Sequence, residues 1–185
     1  LWGAFGTTGQ RCTATSRVIV HRAVQHKLAE RLVEGARKLK IGNGLDQGVT
    51  VGPVVSKGQL ETVKKYVEIG KSEGGDMIYG GKPVTPEGLD QGFFHEPTIF
   101  NDVSPRMRIA QEEIFGPVLA VIRYSDVADA VKIANDSAYG LGGTVWTTDP
   151  DRGLDVARRV RSGTFGINRY LPDPSAPFGG VKDSG

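Results

Sequence analysis

The chain has 185 residues, of which 38% are hydrophobic, and this ordinary composition argues against a disordered, collagen-like or disulfide-rich protein. Its 23 basic and 21 acidic side chains are interleaved and leave a formal net charge of +2, so no surface for nucleic acid stands out and a small-molecule partner is favoured. A single cysteine cannot form an internal disulfide, which favours a reducing, cytoplasmic location.

The first part of the chain predicts alternating strands and helices. Arg17–His21 is a β-branched run that predicts a strand, and residues 23–39 carry apolar side chains at helical spacing. Ser56 stands three residues before Gln59, and this capping-box spacing predicts the start of a second helix, which carries Val67.

Five further apolar runs predict strands, at residues 77–79, 97–100, 118–122, 144–147 and 164–167. The run at 118–122 is apolar throughout, which predicts a strand buried on both faces. Ser125 or Asp126 is predicted to begin one helix, and Asp149, before Pro150, is predicted to begin another. The repeated alternation predicts an α/β fold with a largely parallel sheet, whose chemistry lies in loops at the strand ends.

The only cysteine lies in a polar, glycine-bearing segment. A lone cysteine is often a small buried hydrophobic side chain. Gly9, Arg11 and Thr13 are unusual neighbours for a core thiol, however, and they favour a loop that exposes Cys12. An exposed thiol that is activated to the thiolate is a nucleophile, so Cys12 is the candidate catalytic residue.

Other familiar sites are not supported by residue spacing. The three histidines are too scattered for a metal site, and one cysteine cannot complete a zinc site, so we expect no metal. Residues 75–82 lack the spacing of a phosphate loop. Residues 140–143 lack the third glycine of a dinucleotide fingerprint, and we interpret them as a connection.

Neither end of the sequence resembles a natural terminus. The chain begins with Leu1 and ends with Gly185, without an initiator methionine or a signal peptide. We therefore interpret both ends as cuts in a longer protein and residues 1–185 as one truncated domain. No apolar run approaches the roughly 20 residues that span a bilayer, so we expect no membrane partner.

Three segments, in this order, resemble the aldehyde dehydrogenase superfamily. Residues 5–16 (FGTTGQRCTATS) resemble its active-site cysteine signature, residues 111–118 (QEEIFGPV) its glutamate-bearing cofactor motif, and residues 176–185 (APFGGVKDSG) its C-terminal glycine-rich loop. The resemblance implies the family's catalytic domain, with three layers and a largely parallel twisted sheet flanked by helices. It also implies oxidation of an aldehyde to a carboxylic acid with NAD or NADP, through a thiohemiacetal and a thioester on Cys12.

The resemblance also implies roles for individual residues. Glu113 would accept hydrogen bonds from the nicotinamide ribose, and Phe115 would pack beside the nicotinamide; a solvated acidic pair at Glu112 and Glu113 is the alternative. Gln59 would approach the ribose or simply complete its capping box. Side chains expected near the aldehyde are Arg11, Thr13, Asn168, Arg169 and Phe178, with residues 169–174 bordering the entrance.

The same resemblance leaves alternatives open. Relatives that transfer the acyl group to coenzyme A, or that act as reductases, keep the cysteine. The family's general base, oxyanion asparagine, main cofactor-binding domain and oligomerisation tail have no counterpart in residues 1–185. We therefore expect the isolated chain to be a non-catalytic piece that self-associates, taken from a homodimeric or homotetrameric enzyme.

Overall fold

The computed structural model describes residues 1–171 and 175–185, which form two compact units, Leu1–Arg123 and Tyr124–Gly185. The elements up to the boundary are α1 (Trp2–Phe5), β1 (Arg17–His21), α2 (Gln25–Ala36), α3 (Lys57–Ser72), β2 (Asp76–Tyr79), β3 (Pro83–Val84), β4 (Phe94–His95), β5 (Thr98–Asn101), α4 (Arg108–Gln111) and β6 (Val118–Tyr124). Beyond it lie α5 (Val127–Asn135), β7 (Gly142–Val145), α6 (Pro150–Arg159), β8 (Thr164–Ile167) and a 3-10 turn (Lys182–Ser184). None of the described helices has both the length and the apolar character needed to cross a bilayer.

A four-stranded sheet in the order β1-β6-β5-β2 organises the first unit. β5 and β6 run parallel, with Thr98 opposite Val118, whereas β2 runs antiparallel to β5, with Met77 opposite Phe100. β3 and β4 form a separate antiparallel pair. The fold is therefore α/β as predicted, with a mixed sheet whose inner pair is parallel.

The core of the first unit surrounds β6. All five residues of 118–122 are buried, which confirms that this strand has no solvent-facing side. Leu119 and Val121 pack in one cluster with Ile99 of β5 and with Leu32 of α2. Phe5, at the end of α1, is fully buried in the same cluster. Burial of Phe5 therefore holds the start of the following segment, residues 6–16, against the core.

The second unit is built on the parallel pair of β7 and β8, in which Gly142 faces Thr164 and Val145 faces Ile167. The interpretation of residues 140–143 as a connection was wrong for Gly142 and Gly143, because both belong to β7. Glycine has a low strand propensity, but the Phe165 ring occupies the space beside Gly143 that a side chain would otherwise fill.

Local capping signals located the starts of three helices. Ser56 accepts a hydrogen bond from the Gln59 backbone N–H and begins α3, and Asp126 and Asp149 cap α5 and α6 in the same way. Five short elements among the described residues were not predicted, namely α1, α4, β3, β4 and the 3-10 turn.

Candidate active site

The segment that carries Cys12 is a series of tight turns between α1 and β1. The backbone N–H of Thr8 donates to the Phe5 carbonyl at 2.9 Å, and that of Ala14 donates to the Arg11 carbonyl at 2.9 Å. Cys12 lies at the centre of the second turn, where its side chain is exposed. This geometry confirms the expectation of an exposed thiol on a loop.

Two side chains attach this segment to residues 52–55. Thr8 is buried and its hydroxyl donates to the Gly52 carbonyl at 3.1 Å. The Gln10 amide makes two contacts, because Nε2 donates to the Pro53 carbonyl at 3.3 Å and Oε1 accepts from the Val55 N–H at 2.9 Å. Both ends of the Gln10 amide are therefore satisfied by main-chain groups, which fixes the loop two residues before the cysteine.

The cysteine loop contacts the glutamate-bearing segment without an intervening side chain. Gly9 has φ of +67°, and a Cβ built on it would overlap the carbonyl group of Gly116. Glycine is required here both by the left-handed backbone and by the close approach of the two chains. Gly116 in turn packs against Val63 of α3.

The neighbours of Cys12 leave its main chain available. The Arg11 guanidinium lies 5.7 Å from the centroid of the Trp2 ring and donates to the Thr13 hydroxyl at 3.3 Å. Arg11 is exposed and Thr13 is partly buried. Within residues 1–171 and 175–185, the backbone N–H of Cys12 has no hydrogen-bond acceptor. A donor of this kind can stabilise an oxyanion that forms beside the thiol.

The two consecutive glutamates differ sharply in their surroundings. Glu112 accepts from both Arg108 and Tyr66, so it is not a simple solvated carboxylate. Glu113 is exposed, and its carboxylate forms no hydrogen bond or ion pair with any residue that the structure describes. Phe115 follows with φ of +55° and a ring that is 38% exposed.

Gln59 holds this segment from α3. Its backbone N–H is capped by Ser56, but its side chain does not return to the cap. Instead, Nε2 donates to the carbonyl oxygens of Ile114 at 2.8 Å and Phe115 at 3.0 Å. Only half of the predicted capping box is therefore formed, and the side chain supports the backbone that presents Glu113 and Phe115.

The remaining predicted substrate residues belong to the second unit. The Asn168 amide pairs with the main chain of Thr147 in both directions, each hydrogen bond being 2.8 Å long, and thereby continues the ladder of β7 and β8. Arg169 is exposed, and Phe178 is 58% exposed. Of the proposed entrance segment, residues 172–174 lie outside the described residues.

A buried histidine in the first unit belongs to none of these groups. His95 is fully buried, and its Nδ1 donates to the Glu96 carbonyl at 2.8 Å, while Nε2 lacks a partner in the described structure. Burial lowers the pKa of His95 below the usual value, because the charged ring would lose its hydration. Among the described residues, no three His, Cys, Asp or Glu side chains are placed to hold a metal ion.

The supporting roles of Gln10, Tyr66 and Arg108 were not predicted from the sequence. The Arg108 to Glu112 spacing of four residues is a readable signal for a helical ion pair. The contacts of Gln10 and Tyr66 join segments more than 40 residues apart, so no local pattern indicates them.

The aldehyde dehydrogenase family model matches residues 1–185. The chain is 48% identical over 178 residues to a putative aldehyde dehydrogenase of Staphylococcus saprophyticus, covering 96% of this chain and 37% of that protein. It is 45% identical over 177 residues to the geranial dehydrogenase of Castellaniella defragrans, covering 96% of this chain and 36% of that protein. The solved aldehyde dehydrogenase of Mycobacterium tuberculosis complexed with NAD+ is 43% identical, with a TM-score of 0.94, covering 99% of this chain and 38% of that structure. The chain thus spans somewhat over a third of the length of these relatives.

Proposed function

The chain belongs to the aldehyde dehydrogenase family, and from this premise we propose that the protein in which it occurs oxidises an aldehyde to a carboxylic acid with NAD+ or NADP+. Cys12 is the nucleophile. The observation that carries the proposal is the exposed thiol of Cys12, whose backbone N–H has no acceptor among the described residues, on a loop that packs through Gly9 against the segment bearing Glu113.

Cys12 supplies the covalent chemistry. Its thiolate attacks the aldehyde carbon, a C–S bond forms, and the carbonyl oxygen becomes an oxyanion. The main-chain N–H of Cys12 donates to this oxyanion, and a preorganised donor of this kind is worth about 10² to 10³ in rate in acyl-transfer enzymes. After the aldehyde hydrogen has left as hydride and the carbonyl has re-formed, a thioester remains on Cys12. Water adds to it, the C–S bond breaks, and the carboxylate leaves while the Cys12 thiolate is regenerated and two protons pass to the solvent.

Glu113 and Phe115 fit the nicotinamide end of the cofactor. Neither oxygen of the Glu113 carboxylate is engaged by a residue in the described part of the chain, and the pair suits two neighbouring ribose hydroxyls. The Phe115 ring offers an exposed apolar face. Glu113 and Phe115 would hold the nicotinamide end of NAD+ or NADP+, which would supply the hydride acceptor that oxidation of the aldehyde requires. Gln59 supports both residues by holding the carbonyl groups of Ile114 and Phe115.

The proposal extends to the domain, to further residues near the aldehyde and to the assembly of the whole protein. Both units are parts of the catalytic domain, and Arg11 and Thr13 flank the nucleophile at which the aldehyde reacts. The roles expected of Arg169 and Phe178 rest on the resemblance alone. Asn168 contributes by fixing the backbone before Arg169, since its amide is already engaged with Thr147. We expect a cytoplasmic homodimer or homotetramer, with no nucleic-acid or membrane partner.

The test uses the full-length protein with a panel of aldehydes and each cofactor. Cys12→Ser is expected to abolish cofactor reduction, whereas Ser16→Ala, on the same loop, is expected to retain it. Rapid quenching followed by peptide mapping is expected to locate an acyl adduct on Cys12 in the parent protein. Full activity in Cys12→Ser would contradict the proposal. Turnover that requires coenzyme A would instead assign the acylating reaction.

A further inference from the structure

The Glu112 carboxylate is surrounded by three donors. Arg108 donates to it through Nε at 2.7 Å and through a terminal nitrogen at 2.8 Å, and the Tyr66 hydroxyl donates at 2.6 Å. The two arginine contacts form the paired geometry in which guanidinium and carboxylate bind most strongly. Glu112 thereby links α4 to α3, which are far apart in sequence.

The same two helices are joined a second time. The backbone N–H of Arg108, at the start of α4, donates to the Glu73 carboxylate at 2.8 Å, and Glu73 directly follows α3. The Arg108 guanidinium also lies 5.7 Å from the centroid of the Tyr66 ring. The four-residue helix α4 is thus anchored at its first residue and just beyond its last.

This network is a weak source of overall stability. The side chains of Arg108 and Glu112 are 45% and 39% exposed, so water screens their attraction, and exposed pairs contribute little. The donors of Arg108 and Tyr66 nevertheless hold the pKa of Glu112 down at about 2. The carboxylate is therefore ionised at neutral pH.

We propose that Glu112 is a positioning residue for the cofactor, and that with Arg108 and Tyr66 it fixes the direction in which the next residue, Glu113, leaves the backbone. The inference rests on the cofactor role of Glu113 under the proposed function. Glu112 closes one end of the loop, while Gln59 holds Ile114 and Phe115 beyond it.

The chemistry requires a carboxylate at position 112. All three groups that face it are donors, and a carboxylate presents only acceptors. Glutamine keeps the length and shape of the side chain but turns one oxygen into a donor, which in either orientation of the amide faces an Arg108 nitrogen that cannot accept. Glu112→Gln should therefore release one side of the network without creating a cavity.

The experiment is a double-mutant cycle in the full-length protein. Glu112→Gln, Glu113→Gln and the double variant are titrated with NAD+ and, separately, with NADP+, and the alkylation rate of Cys12 is measured without cofactor. Glu61→Gln is the matched control, because Glu61 forms an exposed pair with Lys64 on α3, at 2.9 Å. Tyr66→Phe removes one donor and keeps the ring, so it provides a second test if Glu112→Gln folds poorly.

Each single glutamate variant is expected to raise the cofactor Kd about tenfold, and the double variant is expected to be no weaker than Glu113→Gln alone, since Glu112 acts through its neighbour. Tyr66→Phe should raise the Kd by about threefold, whereas Glu61→Gln and the alkylation rate should not change. Two results would overturn this inference and leave the proposed function standing. One is a Kd for the double variant that is raised by the product of the two single effects. The other is an unchanged Kd in both Glu112→Gln and Tyr66→Phe while Glu113→Gln binds the cofactor more weakly. An unchanged Kd in Glu113→Gln would overturn the cofactor role of Glu113 and this inference with it.

Discussion

Replacing Gly9 by alanine tests the contact between the cysteine loop and the glutamate-bearing loop. A Cβ at this position would overlap the carbonyl group of Gly116 and lie 3.0 Å from the backbone nitrogen of Pro117. Ordinary contact with these atoms needs about 3.5 Å, so the two loops would have to separate by roughly 1 Å or more. The backbone offers no easy relief, because φ at Gly9 is +67°.

The expected cost has two parts. Placing an L-residue in the left-handed region costs about 1 kcal/mol, and forcing an additional carbon into a packed contact costs about 1 to 3 kcal/mol. Local opening of the loop should therefore become easier by about 2 to 4 kcal/mol. A displacement of about 1 Å in a catalytic loop can also cost about 10² in rate, so kcat/KM for the aldehyde should fall by about that factor.

Gly48→Ala is the control, because φ at Gly48 is +82° and no atom lies within 4 Å of its built Cβ. It should incur the backbone cost of about 1 kcal/mol and no loss of activity. Native-state hydrogen exchange in the full-length protein measures the free energy of local opening in each variant. The probe is the N–H of Gln10 for Gly9→Ala and the N–H of Val49 for Gly48→Ala, because each N–H is hydrogen-bonded within its turn. Equal effects on exchange for the two variants, with unchanged kcat/KM in Gly9→Ala, would refute the close contact of the two loops.

Two further variants test the buried histidine and the glutamine of the cysteine loop. Burial lowers the pKa of His95 in the folded state. Its contribution to the free energy of unfolding is therefore fully present above the pKa of about 6.5 in the unfolded chain. This contribution is lost as the pH falls below that value, by at most about 1.4 kcal/mol per pH unit. His95→Leu should remove this part of the acid sensitivity in urea titrations between pH 7 and pH 5, and an unchanged pH dependence would contradict the assignment. Gln10→Ala loses its contacts to Pro53 and Val55 and should lower kcat/KM by about tenfold to a hundredfold, whereas Gln25→Ala, which loses a contact elsewhere, should retain activity. Equal kcat/KM values in steady-state assays of these two glutamine variants would argue against the role of Gln10.

The parts of the fold that were predicted are those with local causes. Ser56, Asp126 and Asp149 each satisfy the first free N–H groups of a helix, so they indicate where the helix starts without knowledge of the rest of the chain. The continuous apolar run of β6 likewise predicts, from the sequence alone, that the strand is buried.

The missed elements lack such causes. α1 and α4 have only four residues each, which is too short for helical periodicity, and β3 and β4 have two residues each. β7 begins at Gly142 because its parallel partner β8 supplies the hydrogen bonds. The two glycines give no local signal for a strand. Tertiary pairing overrides local propensity in this case.

The candidate site divides along the same line. Cys12 and Glu113 carry distinctive chemistry within recognisable segments, and both emerge from the sequence. The surroundings of Glu112 and Gln10 depend on chain segments that meet only in the folded protein. The candidate nucleophile and the candidate cofactor residue could therefore be proposed from the sequence, but the groups that hold them in place could not.

The side-chain amide of Asn168 also favours one register between β7 and β8. β7 and β8 are four residues long and rich in glycine, and short strands with few side chains specify their alignment weakly. In the native alignment the Asn168 side chain meets both main-chain groups of Thr147. A slip of one residue would lose both hydrogen bonds, so a side chain placed beyond the strand penalises a misaligned pairing of β7 and β8.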